Sequence, residues 1–163
     1  MLPIVHRYLE SQVIQDLQNK MVFVGGPRQV GKTFLAKKLL KNMRGSYLNW
    51  DVDEDRNKIL DKTFSRKHLI VFDEIHKFRR WRNWLKGLYD GSREEGLQIL
   101  VTGSARLDLY RFGGDSLQGR YHYLRFHPLS VAELKLESLT DLKALLTLSG
   151  FPEPFLKGDL RAA

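Results

Sequence analysis

In the stretch GGPRQVGKT, residues 25–33, Gly26, Gly31, Lys32 and Thr33 fall at the spacing G-x-x-x-x-G-K-T. That spacing suits a loop built to hold a phosphate. A loop of this length leaving a strand can wrap backbone N–H groups around an anion, and glycine lets the backbone come close. The helix that follows adds its positive amino-terminal end. Gly26, Pro27, Arg28, Gln29, Val30, Gly31, Lys32 and Thr33 are therefore the candidate nucleotide-binding residues. Lys32 brings a mobile positive charge to the β and γ phosphates of a nucleotide, and the Thr33 hydroxyl is a candidate ligand for Mg2+. Arg28 and Gln29 lie inside the loop without an assigned catalytic role. The bland alternative is a glycine turn capping a basic helix, which would have to fall by accident between a buried-strand pattern and an amphipathic helix.

A second constellation is LIVFDE, residues 69–74, in which an apolar run delivers Asp73 and Glu74 at its carboxyl end. Open α/β sheets place their ligands at that end of the strands. Asp73 is the candidate magnesium holder, and Glu74 the candidate base that orients or deprotonates an attacking water. A small GTPase would carry an N-K-x-D base-reading motif, and neither NKMV nor NKIL has the aspartate. Small-molecule kinases of the same broad fold often lack the glutamate, so the pattern points to ATPases with an additional catalytic glutamate. That class inserts a strand between the loop strand and the carboxylate strand, ending in a polar residue that faces the γ phosphate. ILVTGS supplies Thr102 and Ser104 there, and Thr102, the first polar residue after the apolar run, is the favoured sensor.

These side chains must be positioned by elements that the patterning predicts. MVFVGG (21–26) reads as a buried strand running into the loop, and from Lys32 the period changes, with Leu35, Leu39 and Met43 recurring every four residues. SYLNW (46–50), HLIVFDE (68–74), LQILVTGS (97–104) and YHYLRF (121–126) read as further strands. Phe78, Trp81, Leu85 and Leu88 mark a helical stripe with Trp84 at its edge, and a Leu/Lys-rich helical segment follows HPLSVAEL. Strands alternating with helices predict an α/β P-loop NTPase with a mainly parallel five-stranded sheet and helices on both faces. FGGDSLQG (112–119) is the expected mobile loop.

Taken together, GPRQVGKT, LIVFDEIHK, ILVTGSARLDL, LQGRYHYLRFHPLSVAEL and GFPEP resemble a family of bacterial and archaeal AAA+-like ATP-binding proteins. The resemblance runs from HRYLESQVIQDL to GFPEPF. Its most specific parts are the arginine and glutamine inside the loop and the GR…PLSVAEL block. It implies the same roles for Lys32, Thr33, Asp73, Glu74 and Thr102. It further implies that Arg120, just before the fifth strand, matches the arginine by which a neighbouring subunit completes the site, with Arg106 and Arg111 as further candidates. Members of this family are usually longer and carry a carboxyl-terminal domain. Residues 1–163 are accordingly expected to be a single ATPase domain without it.

Composition narrows the partners. The chain has no cysteine, which removes disulfides, thiol nucleophiles and cysteine-based zinc sites and fits a cytoplasmic location. No apolar window has signal-peptide or membrane-spanning length. The net charge is +8, with six basic residues from Arg28 to Arg44 and ten from Arg56 to Lys86. Such a field attracts polyanions, but lysine-rich helix faces also serve solubility. KFRRWRNWLK (77–86) interleaves arginines and aromatics as single-strand binders do. Helical spacing nevertheless assigns Trp81 to the core and leaves Arg79, Arg80 and Arg82 as a basic face for DNA or a protein partner, possible partner subunits included. No histidines have helical metal-ligand spacing, so magnesium is the only metal expected. The competing readings are a nucleotide-controlled binding module with little turnover and an inert DNA-binding domain.

Overall fold

A computed structural model describes residues 6–66, 68–92, 94–104, 107 and 117–158. In chain order the elements are α1 (Leu9–Asp16), β1 (Met21–Gly25), α2 (Lys32–Met43), β2 (Gly45–Asn49), α3 (Asp53–Asp61) and β3 (Leu69–Asp73). A 3-10 turn (Ile75–Lys77) leads to α4 (Trp81–Gly91), β4 (Gln98–Gly103), β5 (Tyr121–Arg125), α5 (Val131–Leu134), α6 (Leu139–Leu148) and α7 (Pro152–Lys157). The strand order is β2-β3-β4-β1-β5, and all four pairings are parallel. The expected inserted strand is thus present, with β4 between the loop strand β1 and the carboxylate strand β3.

Period-two alternation sorts the central strands into two cores. Met21, Phe23, Ile70, Phe72, Ile99 and Val101 face one cluster, completed by Ile59, Trp81, Leu85 and Leu88 of α3 and α4. Val22, Val24, Leu69, Val71 and Leu100 face the other, completed by Leu9, Val13, Leu35 and Leu39 of α1 and α2. Every residue of β1 and β3 is buried. A strand covered on both faces has no polar alternation, which is why these two read as continuous apolar runs.

Two local differences from the sequence expectations bear on the site. Trp50 leaves the second strand and stacks on Phe78, with ring centroids 4.9 Å apart, while Phe78 precedes α4 rather than belonging to it. Glu74 leaves the third strand with φ 57°. The polar helix α3 was not anticipated, because Ile59 is its single buried residue and no apolar stripe marks it. Residues 112–116 of the expected mobile loop lie outside the described residues, as do Arg106 and Arg111.

Candidate functional site

β1 ends at Gly25, and the chain turns directly into α2, whose first residue is Lys32. Within that turn Gln29 (φ 60°) and Gly31 (φ 98°) are left-handed. Such alternation aims successive N–H groups into one concavity, the geometry of an anion nest. Left-handed backbone costs a glutamine roughly 1–2 kcal/mol, and glycine very little. Gly26 is required for another reason: a Cβ there would lie 2.2 Å from the Phe126 carbonyl oxygen.

The Lys32 ammonium is buried and donates to the carbonyls of Gly26, at 3.0 Å, and Pro27. Burial lowers its pKa, while Glu74 and Asp73 pull it back up and Arg28 adds to the lowering. A phosphate in the nest would offset the cost of burying this charge, so the loop fits the anion that the sequence motif implies.

Asp73, at the end of β3, gathers three hydroxyls. Thr102 Oγ1 donates to Oδ1 at 2.7 Å, Thr33 Oγ1 lies 3.3 Å from Oδ2, and the Tyr47 hydroxyl donates to Oδ2. The parallel register explains the convergence, because Asn49, Asp73 and Thr102 are successive partners across β2, β3 and β4. Tyr47 is held protonated: burial raises its pKa first, then the hydrogen bond to Asp73 and that residue's charge. Thr33 and Asp73 therefore offer a hydroxyl and a carboxylate side by side, the hard oxygen donors that magnesium takes together with phosphate oxygens. Among the described residues there is no cluster of three or more His, Cys, Asp or Glu able to hold an ion without a phosphate.

Thr102, the expected γ-phosphate sensor, is tied to the carboxylate strand. Its side chain is fully buried and its hydroxyl is turned onto Asp73. Tyr47 escaped the sequence reading. The usable signal was a tyrosine in a strand that flanks the carboxylate strand, but which strands are neighbours is a tertiary fact.

Left-handed Glu74 donates its N–H to the Thr102 carbonyl at 2.9 Å and swings its carboxylate away from the strand. Its Oε2 lies 3.4 Å from Lys77 Nζ and 3.6 Å from His76 Nε2. Lys77 also pairs with Asp51, and that hydrogen bond is the largest influence raising its pKa, against burial and with help from Glu74. His76 is buried beside Glu74, close enough to Gly103 that a Cβ there would lie 2.8 Å from Nδ1.

Arg120 stands apart from these residues. It precedes β5, and its carbonyl accepts the N–H of Met21 at the start of β1, whereas the phosphate loop leaves the far end of that strand. Five steps at about 3.3 Å give roughly 16 Å between the two ends, so Arg120 cannot serve its own chain's loop. Its guanidinium grips Asp90 with Nε at 2.8 Å and Nη2 at 3.1 Å. Trp81 is core, with its ring centroid 5.8 Å from that of Phe23, and Trp84 packs edge-on against Phe72. Arg79 and Arg80 are exposed, while Arg82 is half-buried with its guanidinium 5.7 Å from the centroid of the Trp81 ring. Among the described residues no helix is long and apolar enough to cross a membrane.

A family model described as an AAA domain matches residues 18–135, most of the chain. No curated protein sequence matches. Among solved structures, AMPPCP-bound DnaA from Aquifex aeolicus superposes with a TM-score of 0.58 at 17% identity, covering 95% of this chain and 60% of that one. The replication initiator DnaA bound to AMPPCP and single-stranded DNA gives 0.55 at 14% identity, covering 94% of this chain and 58% of that one. The chain thus spans less than two thirds of these structures, and the likeness is one of fold. With its P-loop sheet order and the family match across both constellations, the chain belongs to the AAA domain family of AAA+-like ATP-binding proteins.

Proposed function

We propose that this domain binds ATP with Mg2+ and hydrolyses it to ADP and phosphate. The observation that carries the reading is the meeting of Thr33 and Asp73, 3.3 Å apart, with Glu74 as the next residue. The loop N–H groups and Lys32 bind the phosphates, and Thr33 and Asp73 hold the metal. Magnesium, when bound, would supply charge neutralisation on the phosphates. Tyr47 and Thr102 keep the Asp73 carboxylate oriented. Glu74 takes a proton from the water that attacks the γ phosphorus, and ADP departs with the bridging oxygen. Arg120 acts on the site of a neighbouring copy, which makes turnover depend on assembly.

The pairing of Glu74 with Lys77 favours a second reading, a nucleotide-controlled switch with little turnover. A base drawn to a lysine that is itself pinned by Asp51 is restrained from reaching water. DNA, or a protein, contacting the basic 77–86 segment would be the partner whose arrival releases it.

Phosphate release from magnesium ATP, measured against protein concentration for wild type and Glu74→Gln, tests the first reading. Turnover per chain that rises with concentration and disappears in the variant supports a hydrolase. Equal silence in both chains, with ATP still bound, favours the switch. No ATP binding in either would sink both.

A further inference from the structure

The nest that turns loop N–H groups towards an anion turns loop carbonyls the other way, and buried carbonyls need donors from behind. For Val30 that donor is Arg7, whose Nη1 lies 2.8 Å from the Val30 carbonyl oxygen in a buried contact. Nη2 of the same guanidinium donates to the His127 carbonyl, just after β5, and Nε donates to Glu133 Oε1 of α5 at 2.9 Å. The guanidinium carbon lies 3.9 Å from the centroid of the Phe126 ring. Three nitrogens thus tie three separate segments together.

The pair is built in rather than adventitious. The side chains of Arg7 and Glu133 are 5% and 2% exposed. Glu133 also accepts the N–H groups of Tyr8 and Ser130, each at 3.0 Å, and its own N–H is capped by the Ser130 hydroxyl. Arg7 Nη1 would lie 3.3 Å from a Cβ on Gly31, so the guanidinium also backs the last glycine of the loop. Neither residue hydrogen-bonds to the phosphate-side groups Lys32, Thr33, Asp73 or Glu74.

We infer that Arg7 is a positioning residue for nucleotide binding: Glu133 fixes its guanidinium, and the guanidinium holds the Val30 carbonyl so that the loop stays in its phosphate-receiving shape before the ligand arrives. The inference rests on the ATP-binding reading above. Gln29 occupies a backbone region that glutamine disfavours, so the loop needs outside restraint to keep that shape. Without Arg7 the Val30 carbonyl loses its buried donor and the loop relaxes. A site that is only partly in its competent shape binds more weakly by that fraction. Lysine cannot replace the fork, because one ammonium cannot face three acceptors in the guanidinium plane.

The test compares wild type, Arg7→Lys, Glu133→Gln and Lys32→Ala by calorimetric Kd for magnesium ATP, by kcat, and by melting temperature without nucleotide. In Arg7→Lys the Kd is expected to weaken about tenfold, as loss of one charge-assisted hydrogen bond implies, with kcat at saturating ATP close to wild type. Glu133→Gln is expected to weaken Kd by less than Arg7→Lys does. A lower melting temperature with unchanged Kd would mean a merely structural ion pair and overturn the inference. If Arg7→Lys is not recovered folded, the Kd of the nearly isosteric Glu133→Gln decides in the same way. A wild type with no affinity for ATP overturns the ATP reading and this inference together. ATP binding that is lost in Lys32→Ala but intact in Arg7→Lys overturns this inference alone.

Discussion

Thr102 Oγ1 lies 2.7 Å from Asp73 Oδ1, a hydrogen bond between two buried residues directly paired across β3 and β4. Thr102→Val keeps the shape and removes the donor, leaving a buried carboxylate oxygen short of a partner. The expected cost is about 1–3 kcal/mol of stability, together with slower magnesium-dependent hydrolysis. Thr102→Ser should recover most of both. Urea unfolding and phosphate release check this, and a valine variant with wild-type values in both would show that the contact does not order Asp73.

Gly26→Ala probes the loop from the packing side. The new methyl would meet backbone, the Phe126 carbonyl oxygen, which cannot move aside as a side chain can. Overpacking of this kind costs about 1–3 kcal/mol, and here it also displaces the loop. A lowered melting point with loss of the ATP-induced thermal shift is expected. Retention of that shift would contradict the tight fit.

Arg120 and Glu74 offer a test of assembly. Each of Arg120→Ala and Glu74→Gln alone should bind ATP and hydrolyse it poorly. Mixed together, they should regain part of the activity, because a Glu74-intact chain can receive an arginine from its Glu74→Gln neighbour. Activity of the mixture no greater than that of the separate variants would remove Arg120 from the site, and its grip on Asp90 would then be its whole role.

Glu133 predicts a stability slope in acid. Burial works against its ionised form, but the Arg7 hydrogen bond and the Ser130 and Tyr8 N–H groups outweigh it and hold the carboxyl below its ordinary 4.5. A carboxyl with a depressed folded pKa contributes stability that is complete above its unfolded value. That contribution disappears as pH falls through the folded one. Wild type should therefore lose more stability than Glu133→Gln as pH drops below 4.5, measured by denaturant unfolding across the acid range. Parallel curves would refute the assignment.

How far the molecule can be read from its residues differs element by element. β1 and β3 are legible because burial on both faces selects an unbroken apolar run, which in β3 stops only at Asp73, and β4 is nearly so, with Gln98 half-buried and Thr102 polar. The loop between β1 and α2 is legible because its geometry is local: two glycines, a lysine and a threonine fall within a single turn. α3 was hidden because one buried isoleucine makes no stripe. Thr102 is legible as a polar residue at a strand end, but its hydrogen bond to Asp73 is not, since only the register of β3 with β4 makes the two residues neighbours.

The sequence by itself determined the α/β class, the phosphate loop, the Asp73–Glu74 pair and the burial of Trp81, because each depends on residue type and spacing within one segment. Tertiary structure alone decided that Tyr47 binds Asp73 from 26 positions away, and that Arg7 and Glu133, 126 positions apart, close behind Val30. Such contacts follow from strand order and from where the chain returns after β5. A hydrogen bond between distant residues leaves no periodic trace in either segment that makes it.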